Sequence, residues 1–270
     1  MVFIMKEYRD HYFLKAKREN YPARSVYKLK ELDAKFRLLR PGQKILDLGA
    51  APGSWSLGAA EKVGSRGLVL ACDIQSTETA FPPQVIFMQE DVFNRSPAFE
   101  ARLEELGPFD HVISDMAPRT TGTRFTDQAR SLDLAVEALA VACLHLKQGG
   151  GFVVKIFMGP DVQELLAPMR KAFTTVKSFK PKSSRAESKE TFFLWALVFA
   201  ASRTRPTLWP RRRAGKTIYS LKVSEVLWLV TVNGPIFSIV RAVRTQNAAS
   251  CSPRPPKKLS LPPRAAAIPR

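Results

Sequence analysis

The sequence predicts an α/β fold: a mostly parallel seven-stranded sheet with helices on both faces. Short apolar runs alternate with amphipathic stretches along the 270 residues, the pattern of strand–helix–strand crossovers. The first strand, Lys44–Leu48, feeds a small-residue turn, Gly49–Gly53, which opens a helix near Ser54-Trp55. That layout places a ligand site at the carboxyl edge of an open sheet, where glycine lets the backbone approach closely and a helix presents N–H groups. The spacing lacks the G-x-G-x-x-G of dinucleotide sites.

Taken in order, residues 1–23 read as a basic, aromatic arm. Tyr8, Tyr12, Phe13, Lys15, Lys17 and Arg18 suit a solvated segment, or one that stacks on bases and meets phosphates. After Arg24-Ser25 the spacing turns helical: Val26, Leu29, Leu32, Phe36 and Leu39 share a stripe that Pro41-Gly42 stop. Lys28 falls between the apolar positions, which directs it along the edge of the sheet. Ser54–Val63 is the first crossover helix, and Leu68–Cys72 the second strand, closed by Asp73. An acid there is where such folds accept hydrogen bonds from a ribose. Val85–Met88 is the third strand, ended by Glu90-Asp91; Asp91, beside Val92-Phe93, is placed to hold an adenine amino group. Either acid serves equally as a turn residue or helix cap.

Phe109–Ser114 is the fourth strand and delivers Asp115 into Met116-Ala117-Pro118, followed by a polar loop, Thr120–Thr126, expected to be mobile. A helix spans Asp127–Lys147 and ends at Gly149-Gly150-Gly151. Strand five, Phe152–Phe157, contains Lys155. A lysine inside an apolar strand is costly unless it is paired or reaches a cleft. Asp161–Phe173 is a further helix and Val176–Phe179 strand six. Ser183-Ser184-Arg185 lead past Glu190 to a last strand, Phe192–Ala200, read as an antiparallel insertion.

Residues 203–270 change character, holding 14 of the 42 Lys and Arg but one acid, Glu225. This Pro- and Arg-rich extension is expected to lack order. Its apolar run, Val223–Val240, contains Glu225 and Asn233-Gly234-Pro235, which argues against a membrane span. The basic balance suits a polyanion such as RNA. Cys72, Cys143 and Cys251 show no metal spacing and fit a reducing compartment. Lys6, Glu7, Arg9 and Asp10 follow Met1–Met5 too closely for a signal peptide.

Five segments in order, Arg24–Leu29, Asp47–Ser56, Ser114–Pro118, Val153–Phe157 and Ser183-Ser184-Arg185 through Glu190, resemble the FtsJ (RrmJ) family of ribosomal RNA 2′-O-methyltransferases. The likeness is to the large-subunit methyltransferase E type and spans residues 10–200. It implies a Rossmann-like class I S-adenosylmethionine-dependent methyltransferase over 24–202, acting on the ribose 2′-hydroxyl of a uridine in 23S ribosomal RNA. The family's catalytic tetrad falls on Lys28, Asp115, Lys155 and Glu190, with Lys155 as general base and Glu187 close to the last position. Its S-adenosylmethionine contacts fall on Gly53, Trp55, Asp73, Asp91 and Asp115. Ser54 stands where the family often has glycine. The resemblance also implies a cytoplasmic monomer whose partner is the large ribosomal subunit. No metal is expected, because no His/Cys ligand cluster is present. Arg24, Lys28, Lys180, Lys182 and Arg185 would form a basic rim for phosphates. Alternatives are 2′-O-methylation of transfer RNA or cap ribose, and a catalytically inactive RNA-binding ribosome-assembly factor. A nicotinamide dehydrogenase is disfavoured by the missing glycines.

Overall fold

The computed structural model describes residues 11–184 with their side chains, and as backbone alone the strands within 190–199, 211–213, 216–223, 226–232 and 239–242. Two compact units result, Met1–Pro206 and Thr207–Arg270. In the first, apolar runs become β1 (Lys44–Leu48), β2 (Leu68–Asp73), β3 (Val85–Gln89), β4 (Phe109–Ser114), β5 (Leu146–Phe157), β6 (Phe173–Phe179) and β7 (Glu190–Phe199). They form one sheet in the order β3-β2-β1-β4-β5-β7-β6. The pairs among β1 to β5 are parallel, whereas β7 is antiparallel to both β5 and β6. The antiparallel insertion expected from the sequence is thus present.

The helices are α1 (His11–Arg18), α2 (Val26–Phe36), α3 (Ser54–Val63), α4 (Pro97–Leu106), α5 (Arg124–His145) and α6 (Val162–Ala172). Leu29 and Leu32 of α2 and Trp55, Ala59, Ala60 and Val63 of α3 bury one core with Ile45, Val69, Ala71, Val85, Ile113 and Val153. Successive strand residues face opposite sides. Leu46, Leu48, Leu70, Val112 and Val154 therefore point away from that core, yet they too are buried, on the side where α5 packs against β4 and β5.

Several expectations change. Residues 11–18 do not hang free as an arm: α1 buries Ala16 with Tyr21, Val26 and Tyr27. Tyr12 packs on Tyr27, with Arg24 over its ring, so this aromatic is engaged by the protein itself, whereas Phe13 is exposed. Tyr8 lies outside the described residues. Helix α2 stops at Phe36, three residues before Leu39, because Arg37 turns left-handed (φ 53°) and its N–H bonds Asp33. Leu39 is still buried, its N–H held by the Asp33 carboxylate at 2.8 Å. Helix α4 was not foreseen; Ser96 caps it ahead of Pro97. In residues 207–270, expected to lack order, the described backbone forms an antiparallel sheet, in spatial order β11-β10-β9-β8. Its strands are β8 (Arg211–Arg213), β9 (Lys216–Val223), β10 (Val226–Val232) and β11 (Ile239–Ala242). Runs such as Val226–Val232 carry the β-branched residues that favour extension. Among the described residues no helix is long and apolar enough to cross a membrane.

Candidate active site

Strand alternation and parallel register bring the site together. Asp47, Asp73, Asp115 and Lys155 each lie two residues beyond Ile45, Ala71, Ile113 and Val153, which face α2 and α3. The same side of the sheet therefore ends in a row of ionisable groups.

Lys155 is 5% exposed, and its Nζ lies 2.8 Å from Asp115 Oδ1 while donating also to the Asp115 carbonyl oxygen. Lys28 is 8% exposed, not solvated, and its Nζ stands 4.0 Å from the same carboxylate oxygen. Two buried cations thus converge on one acid, which relieves the cost of removing them from water. Glu190 pairs through its backbone with Phe157, two residues from Lys155. Its side chain, and Glu187 and Arg185 altogether, lie outside the described residues.

The glycine turn follows β1. Gly49 and Gly53 have φ of 80° and 110°, a region costly for other residues. A Cβ on Gly49 would overlap Met116, so the turn presses against the loop after β4. Gly49 and Ala50 N–H bond the Cys72 carbonyl at 2.9 and 3.0 Å, fixing the turn to the end of β2. Asp73 accepts from Ala51 N–H at 2.9 Å and Gln75 N–H at 2.8 Å. It is a turn residue, as the simpler reading had it, and each oxygen keeps a lone pair for a ligand. Asp91 accepts from Phe93 N–H at 2.9 Å. Trp55 is 2% exposed, and its indole N–H donates to Ser25 O at 2.9 Å.

Four features escaped the sequence reading. The Ser54 hydroxyl accepts from Ala23 N–H at 2.7 Å and donates to Ala23 O at 3.0 Å, joining the start of α3 to the segment that leads into Lys28. Glu31 accepts from the N–H groups of Lys182 and Ser183 at 2.6 and 2.9 Å, while Arg24 donates to Ser183 O. The loop after β6 is thereby held on α2. Arg95, near Asp91, donates to Val92 O and to Glu137 of α5, both at 2.8 Å. Burial pushes the Glu137 carboxyl up and Arg95 pulls it back. Finally, Asp47 is fully buried, with Ser56 donating to Oδ2 at 2.6 Å, and burial drives its carboxyl from 3.8 to about 7. In the loop 120–126, expected to be mobile, Thr121 is tied to the helix that follows. Asp127 accepts from Thr121 N–H at 2.7 Å and from its hydroxyl at 2.9 Å, and α5 begins at Arg124.

Comparison with known proteins gives the chain its family. Residues 21–197 match the family model for FtsJ-like methyltransferase. The chain is 75% identical over 190 residues to the ribosomal RNA large subunit methyltransferase E of Nitratidesulfovibrio vulgaris, covering 70% of this chain and 93% of that protein. It is 58% identical over 190 residues to the protein of that name from Lawsonia intracellularis, covering 70% and 95%. A crystal structure described as that of a ribosomal RNA methyltransferase from Plasmodium falciparum superposes with a TM-score of 0.60 at 26% identity, covering 67% of this chain and all of that one.

Proposed function

The chain belongs to the FtsJ-like methyltransferase family, and on that premise we propose that it methylates the ribose 2′-hydroxyl of a uridine in 23S ribosomal RNA, using S-adenosylmethionine. The observation that carries this reading is Lys155 Nζ at 2.8 Å from Asp115, with Lys28 on the same oxygen, at the sheet edge beside the glycine turn. The names of the similar proteins from Nitratidesulfovibrio and Lawsonia support the substrate class.

The residues fit the cofactor. Gly53 and the backbone of Trp55 present the N-terminus of α3, which favours a carboxylate. Asp73 has lone pairs left for ribose hydroxyls, and Asp91 stands beside Val92 and Phe93 for the base. S-adenosylmethionine, when bound, supplies a sulfonium methyl carbon as electrophile. Lys155, once it has given its own proton to solvent, would take the 2′-hydroxyl proton while the oxygen bonds the methyl carbon and the carbon–sulfur bond breaks. Asp115 aims the Lys155 nitrogen, Lys28 fixes Asp115, and Glu190 completes the tetrad from β7. Requiring a 2′-hydroxyl selects RNA over DNA. In this reading the reaction belongs to residues 24–202 of a cytoplasmic monomer acting on the large ribosomal subunit, and residues 203–270 take no part in the chemistry.

The test is transfer of labelled methyl to large subunits from cells lacking the endogenous enzyme. Label is expected on one uridine 2′-oxygen. Lys155→Ala should lower the rate roughly 10²–10⁴-fold while S-adenosylhomocysteine still raises its melting temperature. Label confined to transfer RNA would overturn the substrate; an active Lys155→Ala would overturn the base.

A further inference from the structure

Phe125 is 66% exposed, the most exposed large apolar side chain among the described residues. Its position sets it apart from scattered surface phenylalanines, which need no explanation. It lies in the first turn of α5, directly after the loop that leaves Asp115. About one turn on, Gln128 donates to Met158 O, and nearly two turns on Ser131 accepts from Phe157 N–H at 2.9 Å. Phe125 therefore stands at the carboxyl edge of β4 and β5, where Asp115 and Lys155 emerge.

The platform around it is built and charged. Asp127, buried, ties Thr121 through both N–H and hydroxyl, which fixes the loop geometry. Arg119 in the preceding loop and Arg124 at the start of the helix are both exposed. Arg130 reaches the Arg119 carbonyl at 3.5 Å. An exposed aromatic side chain on a segment that also exposes arginines suits single-stranded nucleic acid, in which bases stack and phosphates pair with cations. A protein partner meeting the exposed arginines of this segment would need acidic residues placed to match, and would gain nothing from the ring's being aromatic.

We infer that Phe125, with Arg119 and Arg124, is a stacking platform for an unpaired nucleobase next to the nucleotide being methylated. This rests on the function proposed above. It adds that the neighbouring base is splayed out and held, so part of substrate recognition comes from the loop after β4. Stacking is tolerant of base identity, so the platform secures position more than sequence.

The full chain, loaded with S-adenosylhomocysteine, is titrated with a short single-stranded oligoribonucleotide carrying 2-aminopurine, whose fluorescence falls when the base stacks. Phe125→Ala should weaken binding about tenfold and abolish the quenching, with its cofactor-induced melting shift unchanged. Phe125→Trp should retain both, whereas Phe125→Leu, equally apolar, should behave as the alanine variant. Arg124→Ala should reduce the salt dependence of binding and leave the quenching. Unaltered binding by Phe125→Ala, or retention by leucine as well as tryptophan, would overturn the platform; the second result would mean an apolar contact with protein. Because binding is read without methyl transfer, a wild type that stacks the oligoribonucleotide yet labels no ribosomal RNA would sink the proposed reaction, and with it the place of the base beside a methylated nucleotide, but not the stacking on Phe125.

Discussion

Replacing Asp47 by asparagine should make the protein more stable at alkaline pH and leave it nearly unchanged in acid. Asp47 is fully buried in β1; its Oδ1 has no hydrogen-bond partner among the described residues, and only Ser56 serves Oδ2. Desolvation is the largest cause of its rise from 3.8 to about 7; Ser56 lowers it, and Asp115 and Asp73 add repulsion. A carboxyl whose folded value lies above its unfolded one contributes its full stability below the unfolded value. That stability is lost as pH rises from about 4 through about 7. The full loss is about 4 kcal/mol at 1.36 kcal/mol per unit. Asparagine resembles the protonated acid in shape and never ionises. The variant's advantage should therefore be small near the unfolded value and approach about 4 kcal/mol above neutrality, a rise in Tm of roughly 8–16 °C for a domain of this size. Thermal unfolding of both proteins across this range reads it directly, and the difference between them cancels the titrating groups that do not interact with Asp47. A difference independent of pH would refute the reasoning, because Asp47 would then be hydrated or paired.

Two further predictions follow from pairs the sequence did not reveal. Arg95→Ala strands Glu137 in the interior and should cost about 3–5 kcal/mol in urea unfolding, whereas Arg95→Met with Glu137→Leu should recover most of it; a single variant as stable as wild type would show that water compensates. Glu31→Ala removes the acceptor from Lys182 and Ser183 N–H, so the KM for ribosomal subunits should rise about tenfold at unchanged kcat. A fall in kcat at constant KM would instead place Glu31 in the chemistry.

The parts legible in the sequence were those with one strong local cause. β1, α3 and β4 fall where apolar runs and glycines said, since a buried parallel strand needs a continuous run and the turn needs positive φ. Lys155 and Asp115 were conspicuous as charges at the ends of such runs, and they do meet. Helix α4 was missed because it buries only Phe99 and Leu103, too thin a stripe to register, although Ser96-Pro97 is a start signal. Gly149–Gly151 were read as the helix end, but β5 runs through them from Leu146, pairing with Phe109 and then, after a register shift, His111. Arg95 with Glu137 and Ser54 with Ala23 lie 42 and 31 residues apart in sequence. No periodicity reports a contact of that kind; only the assembled sheet does.

The place of β7 has a consequence for the order in which the enzyme comes into being. It is the last strand of its sheet to be made, yet it sits inside, between β5 and β6. During synthesis, which runs from the N-terminus, β5 emerges with Lys155 on an open flank and keeps that flank open until residues 190–199 arrive to pair with it. Glu190 arrives on the same strand. The nascent chain can assemble its glycine turn and the acids of β1, β2 and β4 early, but the lysine's strand is closed only by the final segment. A chain ended before β7 would therefore hold most of the core while leaving an unpaired, apolar strand edge beside the unfinished candidate site.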